Sequence, residues 1–410
     1  MLQHQTQVEI GGVSQAKSKQ CVVDRGAWSP PATSTQRIPV SNAHPLRTAY
    51  VETTRLETLL KTSPSNFLGI VLYGGSPWQP RGLGACPVVC LDLPQLNGPP
   101  LAEVWTSKRP VTYHQVEGIQ FAMNDEVLFG ALQLEESPGT PLDIVTYTGY
   151  RRLLVQTRAL GYPHLLRVWN YFPSINHESN GLERYQHFCV GRHQALAEDL
   201  PDFQRMLPAG TAVGTTSGPL QIYFLASTQP GTPVENPRQM NAYEYPRVYG
   251  PRSPAFARAT LKPSISGSHL FIAGTASVVG HASQHVGKLY QQTLETVHNL
   301  NVMITHAEQL HEVSRGQLHQ QALFKVYIRH PEHVSTVSNI LKRMLPVQTQ
   351  VLYLQGEMCR SELLLEIEGV LAQEKTQGKT IDVNKTVSPT RLRLRQPVAS
   401  QYEPDGFKRA

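Results

Sequence analysis

Two parts of the chain alternate apolar runs with amphipathic segments in a similar order. The first part runs from about residue 66 to 227. Its apolar run at 67–73 stops at two glycines and predicts a buried strand. The following segments predict a helix at 151–160, a strand at 165–172, a helix at 182–198 and a strand at 220–226.

The second part repeats this order. The pattern predicts a strand at 269–273, a helix at 289–307, a strand at 322–328, a helix at 334–345, and closing strands at 351–354 and 363–367. The dipeptide Gln-Thr lies on the first helix each time, at Gln156-Thr157 and Gln292-Thr293. We therefore expect the α+β class, with two sheet-plus-helix modules packed together in one chain. Clefts between such modules commonly bind ligands.

The two ends of the chain differ from these modules. Residues 1–45 are polar and rich in turn-forming residues, which predicts a flexible N-terminal arm. Residues 371–410 lose the apolar periodicity and predict a basic tail. The N-terminal module is then expected at 46–230 and the C-terminal module at 231–370.

The composition narrows the class of protein. Of the 410 residues, 40% are hydrophobic and 17% are charged, which is typical of globular proteins. No apolar run is long enough to span a membrane, and the first residues lack a signal-peptide pattern. Five cysteines, an odd number, do not indicate a disulfide framework. We expect a cytoplasmic protein that does not associate with membranes.

The net charge of +6 does not indicate a nucleic-acid partner. The predicted tail carries eight basic and four acidic residues, so most of the excess positive charge lies there. A protein that binds duplexes needs a basic stripe on its folded body. We therefore expect no nucleic-acid binding.

The densest chemical cluster is the segment 235–258, where arginines and tyrosines alternate between prolines. Guanidinium groups bind carboxylates in two-point geometry, and tyrosines add a hydroxyl donor and an apolar ring. The segment therefore suits a small planar acid. An ordinary linker held by surface ion pairs remains the alternative. The candidate binding residues here are Arg247, Arg252, Arg258 and Tyr249.

The predicted helix at 182–198 supplies further candidates. Tyr185, Phe188 and Arg192 are spaced so that they share one helical face. Tyr185 and Arg192 could then supply a second carboxylate anchor. Amphipathic packing explains the same spacing.

Acidic residues alternate with leucines in the closing segment. Glu362, Glu366 and Glu368 share one face of the predicted strand, and the opposite face is apolar. In a cleft, loss of hydration would raise the pKa of such a carboxylate and make it a proton donor near neutral pH. An exposed edge is the alternative, and we expect it for Glu362 and for Glu368.

One pair of histidines has the spacing of metal ligands on a helix. His281 and His285 lie four residues apart, but the glutamate of the zinc-hydrolase motif and a third ligand are lacking. The pair also follows Gly280 directly, which does not favour a helix. We expect no metal site.

The C-terminal part resembles the RidA/YjgF superfamily in four pieces: LFIAGTASVVG, QQTLETVHNL, LFKVYIRHP and LLLEIEGV. The resemblance implies a RidA/YjgF-like fold for both modules. Imine deaminases of that superfamily carry a catalytic arginine on the strand before the closing segment. Here that strand, at 347–354, has no arginine, which argues against imine deamination.

The body from about 46 to 370 resembles the chorismatase family more specifically. Its motifs are RYQHFCVGR, ENPRQMNAYEYPRVYGPRSPAFARA, GTASVVGHAS and CRSELLLEIEG, in this order. The resemblance implies a cofactor-free enzyme that acts on chorismate in a cleft beside the RidA-like half. It places the catalytic glutamate at Glu366 and a subfamily-dependent position at Cys359. A second such position aligns with Ala276, and Arg247 is the leading anchor for a substrate carboxylate.

The resemblance implies cleavage of chorismate to pyruvate and hydroxybenzoate. We expect 3-hydroxybenzoate, with 4-hydroxybenzoate as a second product that some family members also make. Cys359 favours this reaction, whereas Ala276 is more similar to the hydrolases that give a dihydroxycyclohexadiene carboxylate. A RidA-like module that binds a small acid without turnover is the alternative of another class. Two modules in one chain could replace the subunit contacts of RidA trimers, so we expect a monomer or weak oligomer.

Overall fold

A computed structural model describes residues 46–62, 66–74, 84–137, 139–179, 181–264, 267–310 and 321–374. The predicted N-terminal arm lies outside the described residues, as does the predicted tail beyond residue 374. Residues 371–374, which were assigned to the tail, continue the last strand. The other predicted domain boundaries stay predictions.

The described residues form twenty strands and five α-helices. The helices are α1 (Thr53–Thr62), α2 (Leu142–Ala159), α3 (Arg184–Asp199), α4 (Leu289–Leu310) and α5 (Val334–Met344). The strands before α3 are β1 (Arg47–Glu52), β2 (Phe67–Tyr73), β3 (Val88–Leu91), β4 (Leu101–Thr106), β5 (Thr112–Val116), β6 (Ile119–Met123), β7 (Val127–Leu134), β8 (His164–Pro173), β9 (Glu178–Ser179) and β10 (Leu182–Glu183). The later strands are β11 (Ala209–Thr215), β12 (Leu220–Ser227), β13 (Thr232–Val234), β14 (Ala259–Ser264), β15 (Gly267–Thr275), β16 (Val278–Val279), β17 (Ala282–Ser283), β18 (Gln321–Ile328), β19 (Gln350–Gln355) and β20 (Leu365–Glu374).

The N-terminal module is a six-stranded sheet in the order β5-β6-β7-β12-β8-β11. Strands β8 and β11 pair in parallel, and the other described pairs in this sheet are antiparallel. Helices α2 and α3 cover one face, where Tyr150, Leu153 and Phe188 are buried against residues of the sheet. The apolar positions of both helices thus face the sheet, as their periodicity predicts.

The C-terminal module repeats this topology. Its sheet has the order β13-β14-β15-β20-β18-β19, with β18 and β19 parallel. Helices α4 and α5 contribute Val297, Leu300 and Leu341 to the core on one face. Apart from the short strand pairs β9-β10 and β16-β17, both modules follow the same order of three strands, a helix, a strand, a helix and two strands. The predicted α+β class and the two packed modules are therefore confirmed.

A separate four-stranded sheet, in the order β1-β4-β2-β3, was not predicted. It includes the strand at Phe67–Tyr73, which the sequence analysis assigned to the first module. That assignment was wrong: all seven residues of this strand are buried, and such a run does not indicate which sheet the strand joins. The repeated part of the N-terminal module begins instead at Thr112.

The largest core lies among the three sheets. Trp105 comes from the four-stranded sheet, Trp169 and Tyr223 from the N-terminal sheet, and Tyr327 from the C-terminal sheet. The Trp169 and Tyr223 rings stack with their centroids 4.4 Å apart. Because large rings from all three sheets share this core, it fixes the modules against each other.

Candidate functional site

A cavity of about 220 Å³ lies between the two modules. It is lined by residues of α3 and β11 from the N-terminal module, and of β15 and β20 from the C-terminal module. The loops at 239–258 and 359–363 complete its wall. The predicted site residues that line it are Tyr185, Arg192, Tyr249, Arg258, Ala276, Cys359 and Glu366.

Two predicted anchors are not brought to this cavity. Arg247 and Arg252 are exposed and do not line it. Arg247 lies in the 3₁₀ turn Arg247–Tyr249, where residues two apart point in different directions. Tyr249 therefore faces the cavity while Arg247 faces outward. The choice of Arg247 as leading anchor is corrected on this ground.

Arg192 is the most deeply buried cation of the cavity wall, with 3% of its surface exposed. Its guanidinium carbon lies 5.4 Å from the ring centroid of Tyr150 and 5.9 Å from that of Phe188. Among the described residues, its Nε and Nη2 have no hydrogen-bond partner. Buried donors are normally paired, so Arg192 can accommodate an anion at the cavity.

Arg258 comes from the segment just before β14. Its Nη2 donates to the carbonyl of Met240 at 3.0 Å and to the Tyr245 hydroxyl at 2.7 Å. Its Nε is buried without a partner among the described residues. The prediction that this arginine lines the ligand site is therefore consistent with its position.

Arg360 was missed by the sequence analysis. Its guanidinium carbon lies 4.1 Å from the ring centroid of Tyr249, and its Nη1 donates to the Ser283 hydroxyl at 2.9 Å. Ser283 in turn donates to Glu362 at 2.7 Å, so Glu362 is only partly exposed. The signal was available, because Arg360 directly follows Cys359 in a motif that the sequence analysis used.

Glu366 lies on β20, with its carboxyl group directly against Gly274 of β15. A Cβ placed on Gly274 would lie 1.8 Å from Oε1 of Glu366, so only glycine leaves room for this carboxyl group. Burial raises the pKa of Glu366 to about 8, with the nearby Glu368 adding to the rise. No hydrogen-bond partner for this carboxyl group exists among the described residues. Glu366 is thus a neutral acid at pH 7 that faces the cavity.

Cys359 lies on the loop before β20 and lines the same cavity. Burial raises the pKa of its thiol to about 12, and the nearby Glu366 adds to the rise. The thiol is therefore uncharged near neutral pH, and a nucleophilic thiolate is not favoured.

Glu368 is buried, which corrects the expectation that it lies on an exposed edge. It accepts from Arg167 at 2.7 Å, from the Trp169 indole at 2.8 Å and from Lys325 at 2.7 Å. Although burial acts to raise its pKa, Lys325 and Arg167 hold the pKa of Glu368 below its usual range. The strand pattern does not reveal this, because the partners come from distant parts of the chain.

The histidines of the metal-like spacing have other contacts. His281 Nδ1 lies 3.0 Å from the Tyr249 hydroxyl, and His285 Nε2 lies 3.6 Å from Glu295. Within the described ranges, no group of three or more acidic, histidine or cysteine side chains is placed to hold a metal ion. Nor does this part of the chain contain a helix long and apolar enough to cross a membrane.

Known proteins share both the sequence and the fold. A family profile described as "Chorismatase FkbO/Hyg5-like, N-terminal" matches residues 103–226. A Streptomyces hygroscopicus protein named 3-hydroxybenzoate synthase is 34% identical over 314 residues, which cover 75% of this chain and 92% of that protein. Another protein of that organism, named chorismatase, is 37% identical over 311 residues, which cover 74% and 89%. A crystal structure of a chorismatase matches with a TM-score of 0.72 at 33% identity, covering 80% of this chain and 99% of that one. The chain therefore belongs to the chorismatase family, the same family that its four motifs resemble.

Proposed function

We propose that this enzyme cleaves chorismate to pyruvate and hydroxybenzoate, with 3-hydroxybenzoate as the main product. The observation that carries the proposal is a neutral carboxylic acid, Glu366, that faces a cavity lined by arginines. Chorismate has two carboxylates and an acid-sensitive enol ether, so it needs cations for binding and a proton donor for reaction. The names of the relatives support the same reaction class.

The arginines of the cavity wall suit the two carboxylates. Arg192 and Arg258 hold buried N–H groups without partners among the described residues, and Arg360 lies over the Tyr249 ring in the wall of the same cavity. Two carboxylates call for at least two cations, and guanidinium groups hold them in fixed orientations. We assign Arg192, Arg258 and Arg360 to this role in place of Arg247 and Arg252.

Glu366 is the proposed acid. It transfers its proton to the methylene carbon of the enolpyruvyl group, which becomes an oxocarbenium ion, and Glu366 becomes a carboxylate. A pKa raised to about 8 keeps the proton in place at neutral pH and makes the carboxyl group a useful donor. The arginines of the wall offset the negative charge that this step leaves on the protein.

The oxocarbenium ion is then trapped from within the substrate. The ring hydroxyl adds to it, and the bond between that oxygen and the ring then breaks. The ring gives a proton back to Glu366 as it becomes aromatic, and the hemiketal left on the other ring oxygen collapses to pyruvate and 3-hydroxybenzoate. Formation of the aromatic ring drives this branch. Cys359 lines the cavity beside Glu366 as a neutral thiol, and we assign it to steering the ring towards aromatisation.

A hydrolase is the second candidate, and the position of Ala276 favours it. Ala276 lines the cavity and resembles the residue of the hydrolysing subfamily. Water would then attack the oxocarbenium ion, giving pyruvate and a dihydroxycyclohexadiene carboxylate. Both branches use the same protonation by Glu366.

Incubation of the purified full-length protein with chorismate tests the proposal. Pyruvate would be assayed enzymatically and the ring products separated by chromatography. We expect equimolar pyruvate and hydroxybenzoate, mainly the 3-isomer. A dihydroxycyclohexadiene carboxylate would support the hydrolase instead, and the absence of pyruvate would refute both reactions.

A further inference from the structure

A cluster of four charged side chains lies in the core directly behind Glu366. Arg167 comes from β8, Lys325 from β18, Glu368 from β20 and Glu103 from β4, so all three large sheets contribute. Each of the four is at least 96% buried. Two basic and two acidic side chains thus make up the cluster.

Both oxygens of each carboxylate in the cluster have hydrogen-bond or ion-pair partners. Lys325 Nζ lies 2.8 Å from Glu103, 2.7 Å from Glu368 and 2.7 Å from the Tyr223 hydroxyl, which uses its three donors. Glu103 also accepts from the Tyr73 hydroxyl at 2.6 Å and from the Trp105 indole at 2.7 Å. The partners of both carboxylates are hydrogen-bond donors, and Lys325 and Arg167 hold the pKa of Glu368 below its usual range although burial acts to raise it.

Stability alone does not explain such a cluster. Burying ions costs several kcal/mol each, and well-packed apolar residues of similar size often replace a buried ion pair without loss. A charge cluster in the core that joins three sheets therefore suggests a role in the reaction. Its place next to the proposed acid indicates which role.

Glu366 and Glu368 lie on the same face of β20, two residues apart, but their surroundings are opposite. Three donors hold Glu368, whereas Glu366 has no hydrogen-bond partner among the described residues. The adjoining element β15 presents Gly274 to Glu366, and Thr211 of β11 accepts from both Gly274 N and Arg167. One carboxylate of the pair is thus fixed in its charged form, and the other is not.

We infer that Glu368 is a positioning residue whose buried negative charge holds the neighbouring Glu366 in the protonated form that catalysis needs. The inference deepens the proposed function and rests on the proposed role of Glu366 as acid. Arg167 and Arg258 act on Glu366 in the opposite sense, and Cys359 faces it as a neutral thiol. Burial is the largest cause of the raised pKa of Glu366, and Glu368 is the neighbouring charge that adds to it.

The test is the pH dependence of kcat/KM for chorismate cleavage, which reports the free enzyme. The parent enzyme should lose activity as the pH rises through about 8, because Glu366 then ionises. Glu368→Gln should move this limb about one to two pH units lower, as expected for one charge about 7 Å away in a protein environment. At about pH 7.5, kcat/KM of the Glu368→Gln variant should be about tenfold lower than that of the parent enzyme. The difference should disappear as the pH is lowered.

Glu103→Gln is the matched control. It makes the same chemical change in the same cluster and leaves the same net charge, but Glu103 lies on the far side of Lys325 from Glu368. The pH at which kcat/KM of Glu103→Gln falls should shift by less than half as much as it does in Glu368→Gln. Equal shifts in the two variants, or no shift in Glu368→Gln, would overturn the inference. Thermal unfolding of both variants shows whether lost activity follows lost structure instead.

Two further measurements keep the inference testable. If Glu368→Gln does not fold, the double variant Glu368→Gln/Lys325→Met restores the charge balance of the cluster. Its limb should still lie below that of the parent, and a limb at about 8 would overturn the inference. Infrared titration of the protonated carboxyl band that Glu366→Gln removes gives the same answer without turnover. Failure of the proposed reaction would thus leave the inference separately measurable.

Discussion

Replacement of Gly274 by alanine should displace the proposed acid while leaving the fold intact. The added Cβ would lie 1.8 Å from Oε1 and 2.7 Å from Cδ of Glu366, where real Cβ contacts stay beyond 3.0 Å. The carboxyl group must therefore retreat by at least about 1.2 Å, because the backbone of β15 is held in the sheet. The group that must move is the end of a flexible side chain, so the cost in stability should be small.

The expected loss is in kcat. A displacement of about 1 Å in a reacting group can cost about 100-fold in rate, which corresponds to about 2.7 kcal/mol in the activation free energy. KM should change less, because the arginines of the cavity wall are not moved. Steady-state pyruvate release from chorismate measures both constants, and thermal unfolding checks the fold.

Gly369→Ala is the matched control, since it makes the same change on β20. Its Cβ would lie 2.5 Å from the Phe324 ring and 3.0 Å from a backbone oxygen of Leu323, on the core side of the sheet. Such overpacking costs about 1–3 kcal/mol in unfolding free energy. This variant should lose stability but keep kcat per folded molecule. If Gly274→Ala retained kcat within about threefold of the parent, the assignment of Glu366 at this position would be refuted.

Three further outcomes follow from the site. Cys359→Ala should keep pyruvate release but raise the share of dihydroxycyclohexadiene carboxylate, as measured by chromatography. In the parent enzyme, the Cys359 thiol should resist alkylation at pH 8, because its pKa is raised to about 12. Arg360→Met should raise KM by about ten- to a hundredfold through loss of a charge-assisted contact with the substrate. Arg247→Ala and Arg252→Ala are the controls: both residues lie on the exposed surface, and either change should alter KM by less than about twofold. Glu366→Gln should unfold at a higher temperature than the parent at pH 8 but not at pH 4. In the parent, the pKa of Glu366 is raised from 4.5 to about 8 by folding. Because the unfolded chain therefore releases this proton at a lower pH than the folded protein, the parent loses stability across that interval as the pH rises. An equal difference in unfolding temperature at both pH values would contradict this last expectation.

Several elements of the two modules could be predicted because their apolar patterns are strong. The strands Ile119–Met123, Val127–Leu134, Ala209–Thr215 and Ala259–Ser264 were not predicted, and the helix Leu142–Ala159 begins nine residues before its predicted start at 151. The strand at Phe67–Tyr73 and the helix at Val334–Met344 lie within a residue of their predicted bounds. The strand Thr112–Val116 was missed, since none of its side chains is fully buried and no apolar alternation marks it. Sheet membership was also beyond the sequence, because pairing depends on distant segments.

The candidate site could be predicted where a motif ties a residue to a role. Glu366, Cys359 and Ala276 all line the cavity, although their roles remain proposals. The arginines that bind the substrate carboxylates were less predictable. In the 235–258 segment, moving one residue along a turn changes whether a side chain faces the cavity or solvent. The partnership of Glu368 with Arg167 joins residues 201 positions apart, and local patterning contains no sign of it.

The most direct test of the central claim compares Glu366→Gln with the parent in two measurements on the same preparation. One is chorismate binding by calorimetry, and the other is pyruvate release. Glu362→Gln serves as the control, because Glu362 also lines the cavity but is hydrogen-bonded to Ser283. We predict that Glu366→Gln binds chorismate about as tightly as the parent and releases pyruvate at least about 1,000-fold more slowly, while Glu362→Gln retains most of its activity. Pyruvate release by Glu366→Gln at the parental rate would contradict the account.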